Sequence, residues 1–189
     1  MELKDCNVIY ATKEHILGML HLNYKIYPKE WHVSPQYVSS IMDKNDKVYR
    51  IILVDNEVKG IYSMFPLPKD IYNGVLKGQI EEKDLDKYIL PYTSSNEVYL
   101  YFISMIVDTF DSNRKLYAKS LVKDIPNQLS NIEELGIKIK ELGAIAISEE
   151  GEKIAPKIGF NFTNEYITYK NKKFPVFRGE KTDFLKAIK

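Results

Sequence analysis

Glu97-Val98-Tyr99-Leu100-Tyr101-Phe102-Ile103-Ser104-Met105-Ile106-Val107-Asp108 is a long run of β-branched and aromatic residues that reads as a strand. A polar, basic turn follows, Thr109-Phe110-Asp111-Ser112-Asn113-Arg114-Lys115, and apolar residues then recur at helical spacing from Leu116 to Leu135. Ile137 to Ile147 is a second apolar stretch, and Ser148 to Phe160 reads as a short helix closing on Gly159-Phe160. Strand, turn, helix and strand make a βαβ unit. In such a unit the first helix points its unpaired N–H groups at the turn, where an anion can sit.

Upstream, Cys6 to Ala11 alternates as a short first strand, and Thr12 is a plausible N-cap for a helix from Lys13 to Tyr27. Ile16, Leu17, Leu20 and Tyr24 are expected on its buried face, with Pro28 as the stop. Ser34-Pro35 opens a second helix to Met42. Val48 to Val54 and Val58 to Phe65 pair around Asp55-Asn56-Glu57, and Pro66 and Pro68 are expected to end the second of these strands. Residues 69–96 form an insertion with a short helix over Glu81 to Leu90. Pro126 predicts a kink or a restart in the long helix, Gly136 a C-cap, and Gly143 a bulge. Asn161 to Tyr169 and Phe174 to Phe177 are the last strands, and Asp183 to Ile188 a terminal helical turn. The expected fold is α/β, a mixed, mostly antiparallel sheet of six to seven strands flanked by helices, with 1–189 as one domain.

The chain of 189 residues is 44% apolar, enough for a sizeable core. Its formal net charge of +1 argues for neither a nucleic-acid nor an anionic-membrane partner. Cys6 is the only cysteine, which excludes an intrachain disulfide and a cysteine-based metal cluster. His15, His21 and His32 have no metal-ligand spacing, so no metal is expected. The N-terminus shows no signal-peptide apolar core, and no apolar stretch approaches the roughly 20 residues of a membrane span. The expected location is cytoplasmic.

The order of elements and several spacings resemble the cofactor-binding half of the GNAT superfamily of N-acetyltransferases. That family carries Asn-x-x-Ala-x-x-x-Tyr-x-x-x-Gly-Phe after its fifth strand; here Ser148, Gly151, Ala155 and Gly159-Phe160 stand at those spacings. Its pyrophosphate loop, Gln/Arg-x-x-Gly-x-Gly/Ala, falls on Asn113 to Ala118. Only Ala118 fits that consensus, since Asn113 replaces the first residue and Leu116 the first Gly. The resemblance implies an acetyl-CoA-dependent N-acetyltransferase acting on an amine of a small molecule or peptide by direct transfer. Pantetheine would then pair with the fourth strand near Ile106 and Val107, and a backbone N–H near Val107 would polarise the thioester carbonyl. Pyrophosphate would meet Arg114, Lys115, Leu116, Tyr117, Ala118 and Lys119, and Ser148 would stand at the matching family position.

Acetylation needs a base for the amine and a proton for the departing thiolate. Glu97, the nearest carboxylate upstream of the strand's apolar run, is the candidate base, and Ser104 is a candidate contact to the acyl group. Ala155 occupies the family's usual Tyr position and donates nothing; one of the 14 Tyr elsewhere would have to serve. Trp31 and His32, between the first two helices, are candidates for the acceptor pocket, with Trp31 as a loop anchor the alternative. Tyr101 shares a strand face with Tyr99 and either lines the cleft or packs. A catalytically inactive binding or regulatory module of the same fold is the second possibility, and a structural interaction protein the third. A homodimer is one option for assembly.

Overall fold

The strand that begins at Glu97 lies at the centre of a seven-stranded sheet. The structure, a computed structural model, describes residues 6–189. In chain order the strands are β1 (Val8–Tyr10), β2 (Tyr49–Val54), β3 (Glu57–Leu67), β4 (Glu97–Val107), β5 (Lys138–Ile145), β6 (Asn161–Tyr169) and β7 (Lys172–Gly179). Their spatial order is β1-β2-β3-β4-β5-β7-β6, and β4 with β5 is the parallel pair among antiparallel ones. The mixed α/β sheet flanked by helices is therefore as expected.

Alternation in β3 and β4 sends side chains to two separate cores. One face, with Ile61, Phe65 and Tyr101, packs under α1 (Ile16–Ile26), α2 (Pro35–Lys44) and α3 (Lys69–Leu76). The other, with Tyr62, Leu100 and Phe102, packs under α4 (Arg114–Glu134), α5 (Glu149–Ile158) and α6 (Lys181–Ala187). The β2–β3 turn is tight because Asp55 (φ 50°) and Asn56 (φ 63°) both take left-handed backbone, as a two-residue hairpin needs.

Several local expectations are corrected. In α1 the buried residues are Ile16, Met19, Leu20 and Leu22, while Leu17 and Tyr24 are exposed. The apolar stripe is rotated because the segment opens with a 3₁₀ turn over Lys13–His15 before the α-helix begins. β3 continues through Pro66 to Leu67. Pairing with β2 ends at Ser63, so the missing N–H of Pro66 lies in a stretch held by one strand neighbour alone. α3 was not foreseen, and the short helix expected over Glu81 to Leu90 is a 3₁₀ turn, Glu82–Lys87. α4 runs uninterrupted through Pro126; the cost of about 3 kcal/mol for an interior proline is offset by Leu121, Ile125, Leu129 and Ile132, all buried. Gly136 ends that region with φ +82°. Gly143 is not a bulge: it pairs with Tyr101 and Arg178, and a Cβ there would meet Tyr72 Oη at 2.5 Å.

A buried ion pair locks α4 to the sheet. Arg50 Nε and Nη2 each donate to Asp124 at 2.8 Å, Tyr62 Oη donates to the same carboxylate at 2.7 Å, and Arg50 also donates to Val8 O at 3.0 Å. Removing one partner of such a pair strands the other charge. Asp124→Asn is expected to cost about 3–5 kcal/mol in urea unfolding. Lys13→Ala, which breaks an exposed pair with Asp43, should cost less than about 1 kcal/mol. Equal losses would show that the Arg50–Asp124 pair does not hold the helix.

Candidate active site

β4 and β5 pair only from Glu97–Lys138 to Tyr101–Gly143. Beyond that, β5 turns its bonds to β7, and residues 102–107 of β4 keep an edge facing no strand. Asp108 N–H donates to Lys59 O at 2.9 Å on the β3 side. By the alternation of an antiparallel ladder, the amides of Met105 and Val107 point the other way, to the unpaired edge. In the β3–β4 ladder Ser104 stands opposite Ser63 and Phe102 opposite Met64, so Ile103 is an extra, bulged residue.

That bulge brings both Ile103 and Ser104 to a cavity of about 110 Å³ on the α1–α2 side of the sheet. Leu20 and Asn23 of α1, Tyr37 and Val38 of α2, and Ile61, Ser63 and Phe65 of β3 line it. Tyr27, Trp31 and Val33 come from the end of α1 and the loop after it, and Ile147 from beyond β5. Among the described residues, the single charged residue of the lining is Glu82. It opens the 3₁₀ turn of the insertion, and its carboxylate accepts a short hydrogen bond from Tyr101 Oη. Tyr37 Oη donates to the Glu82 backbone carbonyl at 2.6 Å, which fixes the turn against α2. Burial raises the affinity of the Glu82 carboxylate for a proton, and the Tyr101 hydrogen bond partly opposes the shift. The Tyr27 phenol is pushed up to about 12, by burial first and by the charge of Glu82 second.

The residues singled out from sequence are scattered relative to this cavity. Ser104 and Trp31 line it, and so does Ile106, whose backbone bonds towards β3. Ser104 Oγ is 3.5 Å from Ser63 Oγ. Tyr101 is fully buried and holds Glu82. Glu97 stands exposed at the opposite end of β4, 3.7 Å from Lys140 Nζ, because the strand enters the sheet there and the parting lies at its exit. His32 turns from the cavity: its Nε2 is 2.8 Å from Tyr27 O, and its ring stacks on Tyr24 at 4.4 Å. Trp31 also packs on Tyr169 and Phe174, so it both lines and anchors. Glu82, Asn23, Tyr27, Tyr37 and Tyr49 were missed; Glu82 sits in the polar run Glu81-Glu82-Lys83-Asp84, which reads as a solvated surface.

At the start of α4, Arg114, Lys115 and Lys119 are exposed and, among the described residues, make no ion pair. The turn itself differs from the expected open cradle. Asn113 N–H donates to Asp111 Oδ1 at 2.8 Å, Arg114 N–H to Asp111 O, and the Leu116 and Tyr117 amides to Asn113 O. Tyr117 is buried in the core, Leu116 and Ala118 are half-buried, and Ser148 caps α5 by accepting from Gly151 N–H at 3.1 Å. An anion at this turn would meet side-chain cations more than free amides. Among the described residues no group of three or more His, Cys, Asp or Glu is placed to hold a metal.

No family model matches the sequence, and no curated protein matches it. Solved structures match it along nearly its whole length. The loading GNATL domain of CurA from Lyngbya majuscula aligns with a TM-score of 0.69 at 10% identity, over 93% of this chain and 98% of that one. The GphF GNAT-like decarboxylase in complex with isobutyryl-CoA aligns at 0.62 and 10% identity, over 93% and 99%. An aminoglycoside 6'-acetyltransferase type Ii aligns at 0.61 and 10% identity, over 93% and 97%.

The Glu82 carboxyl has a testable pH signature. Below its ordinary value of 4.5 it is neutral in both folded and unfolded chains, and burial costs nothing extra. As pH rises through 4.5 towards the raised value, the unfolded chain sheds the proton first, so stability is lost. Glu82→Gln should therefore melt higher than the parent at pH 8 and at the same temperature at pH 4. A gap that does not change with pH would mean that the carboxylate is well solvated.

Proposed function

We propose that this chain, which has the acyl-CoA N-acyltransferase fold of the GNAT superfamily, transfers an acyl group from acyl-CoA, acetyl-CoA in the simplest case, to an amine. The fold serves different chemistries among the aligned structures, a decarboxylase and an acetyltransferase among them. One observation favours amine acylation here. The cavity at the parted strands carries a carboxylate, Glu82, and, among the described residues, no Lys, Arg or His. A substrate bearing its own carboxylate would be repelled, whereas an ammonium would be drawn in.

Acyl-CoA, when bound, supplies the activated acyl group and a thiolate leaving group. The outward amides of Met105 and Val107 suit the pantetheine and the thioester oxygen, and Arg114, Lys115 and Lys119 suit the phosphates. Once the bound ammonium has lost one proton to solvent, Glu82, held by Tyr101, the last paired residue of β4, takes a second from the amine nitrogen as its lone pair attacks the acyl carbon and the C–S bond breaks to release the thiolate. The raised proton affinity of this carboxylate makes it a stronger base than a solvated one. Tyr27, protonated at neutral pH, is positioned in the same cavity to return a proton to the sulfur side. The acceptor approaches from the α1–α2 side and the acyl donor from the strand gap, which suits direct transfer within one ternary complex.

A second reading rests on the α4 turn, where the amides of Asn113, Arg114, Leu116 and Tyr117 are satisfied internally and Leu116 stands where a glycine would let a phosphate close in. In that reading the chain is a binding or regulatory module with little or no turnover. Two measurements separate the cases. Acetyl-CoA at 100 times its dissociation constant should stabilise the fold by about 2.7 kcal/mol, a melting shift of roughly 5–10 °C, reduced in Arg114→Ala and Lys119→Ala. Glu82→Gln should keep that shift and lose about 10²–10⁴-fold in turnover with an amine. No shift at millimolar acetyl-CoA would sink the acyltransferase assignment; a shift with no turnover in the parent protein would establish the module.

A further inference from the structure

We infer that the cavity selects a small apolar primary amine lacking a carboxylate, received by two acceptors from residues that line it, Asn23 Oδ1 and the Glu82 carboxylate. The inference rests on the acyltransferase assignment above and narrows its acceptor. Asn23 Oδ1 is buried and, among the described residues, has no hydrogen-bond partner. It lies on α1 and lines the cavity, as Glu82 does from the insertion. A buried polar atom left unpaired is costly, and a donor brought by a ligand would satisfy it. Glu82 accepts from Tyr101 with one oxygen and keeps further lone pairs for a donor.

Both unfilled positions are acceptors, so the ligand that completes them must donate twice. A primary amine or ammonium brings two or three N–H donors; an acyl chain brings none. The remaining wall is apolar and aromatic, with Tyr27, Trp31, Tyr49, Ile61 and Phe65. Aromatic faces suit an ammonium or its alkyl stem. Among the described residues, no cation lines the cavity to receive the carboxylate of an amino acid, and no second carboxylate lines it for the far end of a diamine. An engineered apolar cavity of about 150 Å³ accepts benzene. The space of about 110 Å³ therefore suits an alkyl group of roughly four to six carbons.

Binding is testable on the intact chain without turnover, by calorimetry and melting shift with 3-methylbutylamine, pentanoate, leucine, putrescine and a Met-Leu dipeptide amide. Acetyl-CoA is run beside them. The expected result is that 3-methylbutylamine binds at least tenfold more tightly than each of the other four. Asn23→Leu should weaken it at least tenfold while leaving the acetyl-CoA shift in place. Asn23→Asp, which adds charge to the same acceptor, should tighten it, and it serves as the test if the leucine variant fails to fold. Tighter binding of leucine, putrescine or the peptide overturns the inference, as does a bound acetyl-CoA with no bound alkylamine. If acetyl-CoA also fails to bind, the acyltransferase assignment falls with it.

Discussion

The end of pairing between β4 and β5 at Tyr101–Gly143 is the constraint on which the site depends. Two causes pull the strands apart. From Leu142 onward β5 is bonded to β7, and Tyr72 of α3 packs so closely on Gly143 that no Cβ fits between them. Tyr72 Oη also donates to Glu141 at 2.8 Å, and Arg178 of β7 holds the same carboxylate at 2.6 Å. β5 is thus drawn towards β7 and α3, while β4 stays with β3 and bulges at Ile103. The unpaired edge and the cavity are two consequences of one divergence. A continuous ladder would have closed the first and filled the second with packed side chains.

Burying Glu82 is unfavourable for folding, and the structure compensates only in part. Tyr101 Oη donates to the carboxylate and Tyr37 Oη pins the backbone beside it, but among the described residues no cation lines the cavity with it. A structural carboxylate in an apolar wall would normally be paired. Contrast Asp124, met by Arg50 and Tyr62 inside the other core, and Asp108, met by Lys25 at 2.7 Å and 2.9 Å. Those carboxylates hold elements together. Glu82 is held in place with no cation against it among the described residues, which is the arrangement the proposed base requires.

The parts of the fold that were legible in the sequence are those written in local pattern. The apolar run of β4, the Asp55-Asn56 turn, the Ser34-Pro35 helix start and the Gly136 cap each follow from backbone preference, and each is present. The errors come from tertiary packing. Pro126 is carried by the buried face around it, Gly143 is small because of a tyrosine distant in sequence, and the stripe of α1 is rotated by a 3₁₀ turn. Ser104 and Ile106 of β4 were singled out and line the cavity, and Tyr101 holds Glu82 beside it; Ile106, expected to pair with pantetheine, bonds towards β3 instead. Glu82 and Asn23 were not singled out, because an acidic residue in a charged run and an asparagine in a helix look solvated until the fold closes over them. Glu97 has the more obvious sequence position, yet the direction of the strand puts it at the wrong end.

The α4 turn would have to receive the anion of the proposed co-substrate by other means than an open glycine turn. Where glycines open a turn, backbone amides and the helix dipole receive phosphate directly. Here Asp111 and Asn113 accept those amides, and the buried Tyr117 ties the first turn of the helix to the core. What remains for an anion is long-range charge: Arg114, Lys115 and Lys119 on the exposed side, with flexible stems and no competing carboxylate partner among the described residues. Side-chain cations bind phosphate with less geometric selectivity than a fixed cradle and are more easily screened by salt. Under the proposed function, discrimination would therefore fall to the cavity end, where Tyr101 and Tyr37 hold Glu82 in place, and the α4 turn would contribute attraction more than selectivity.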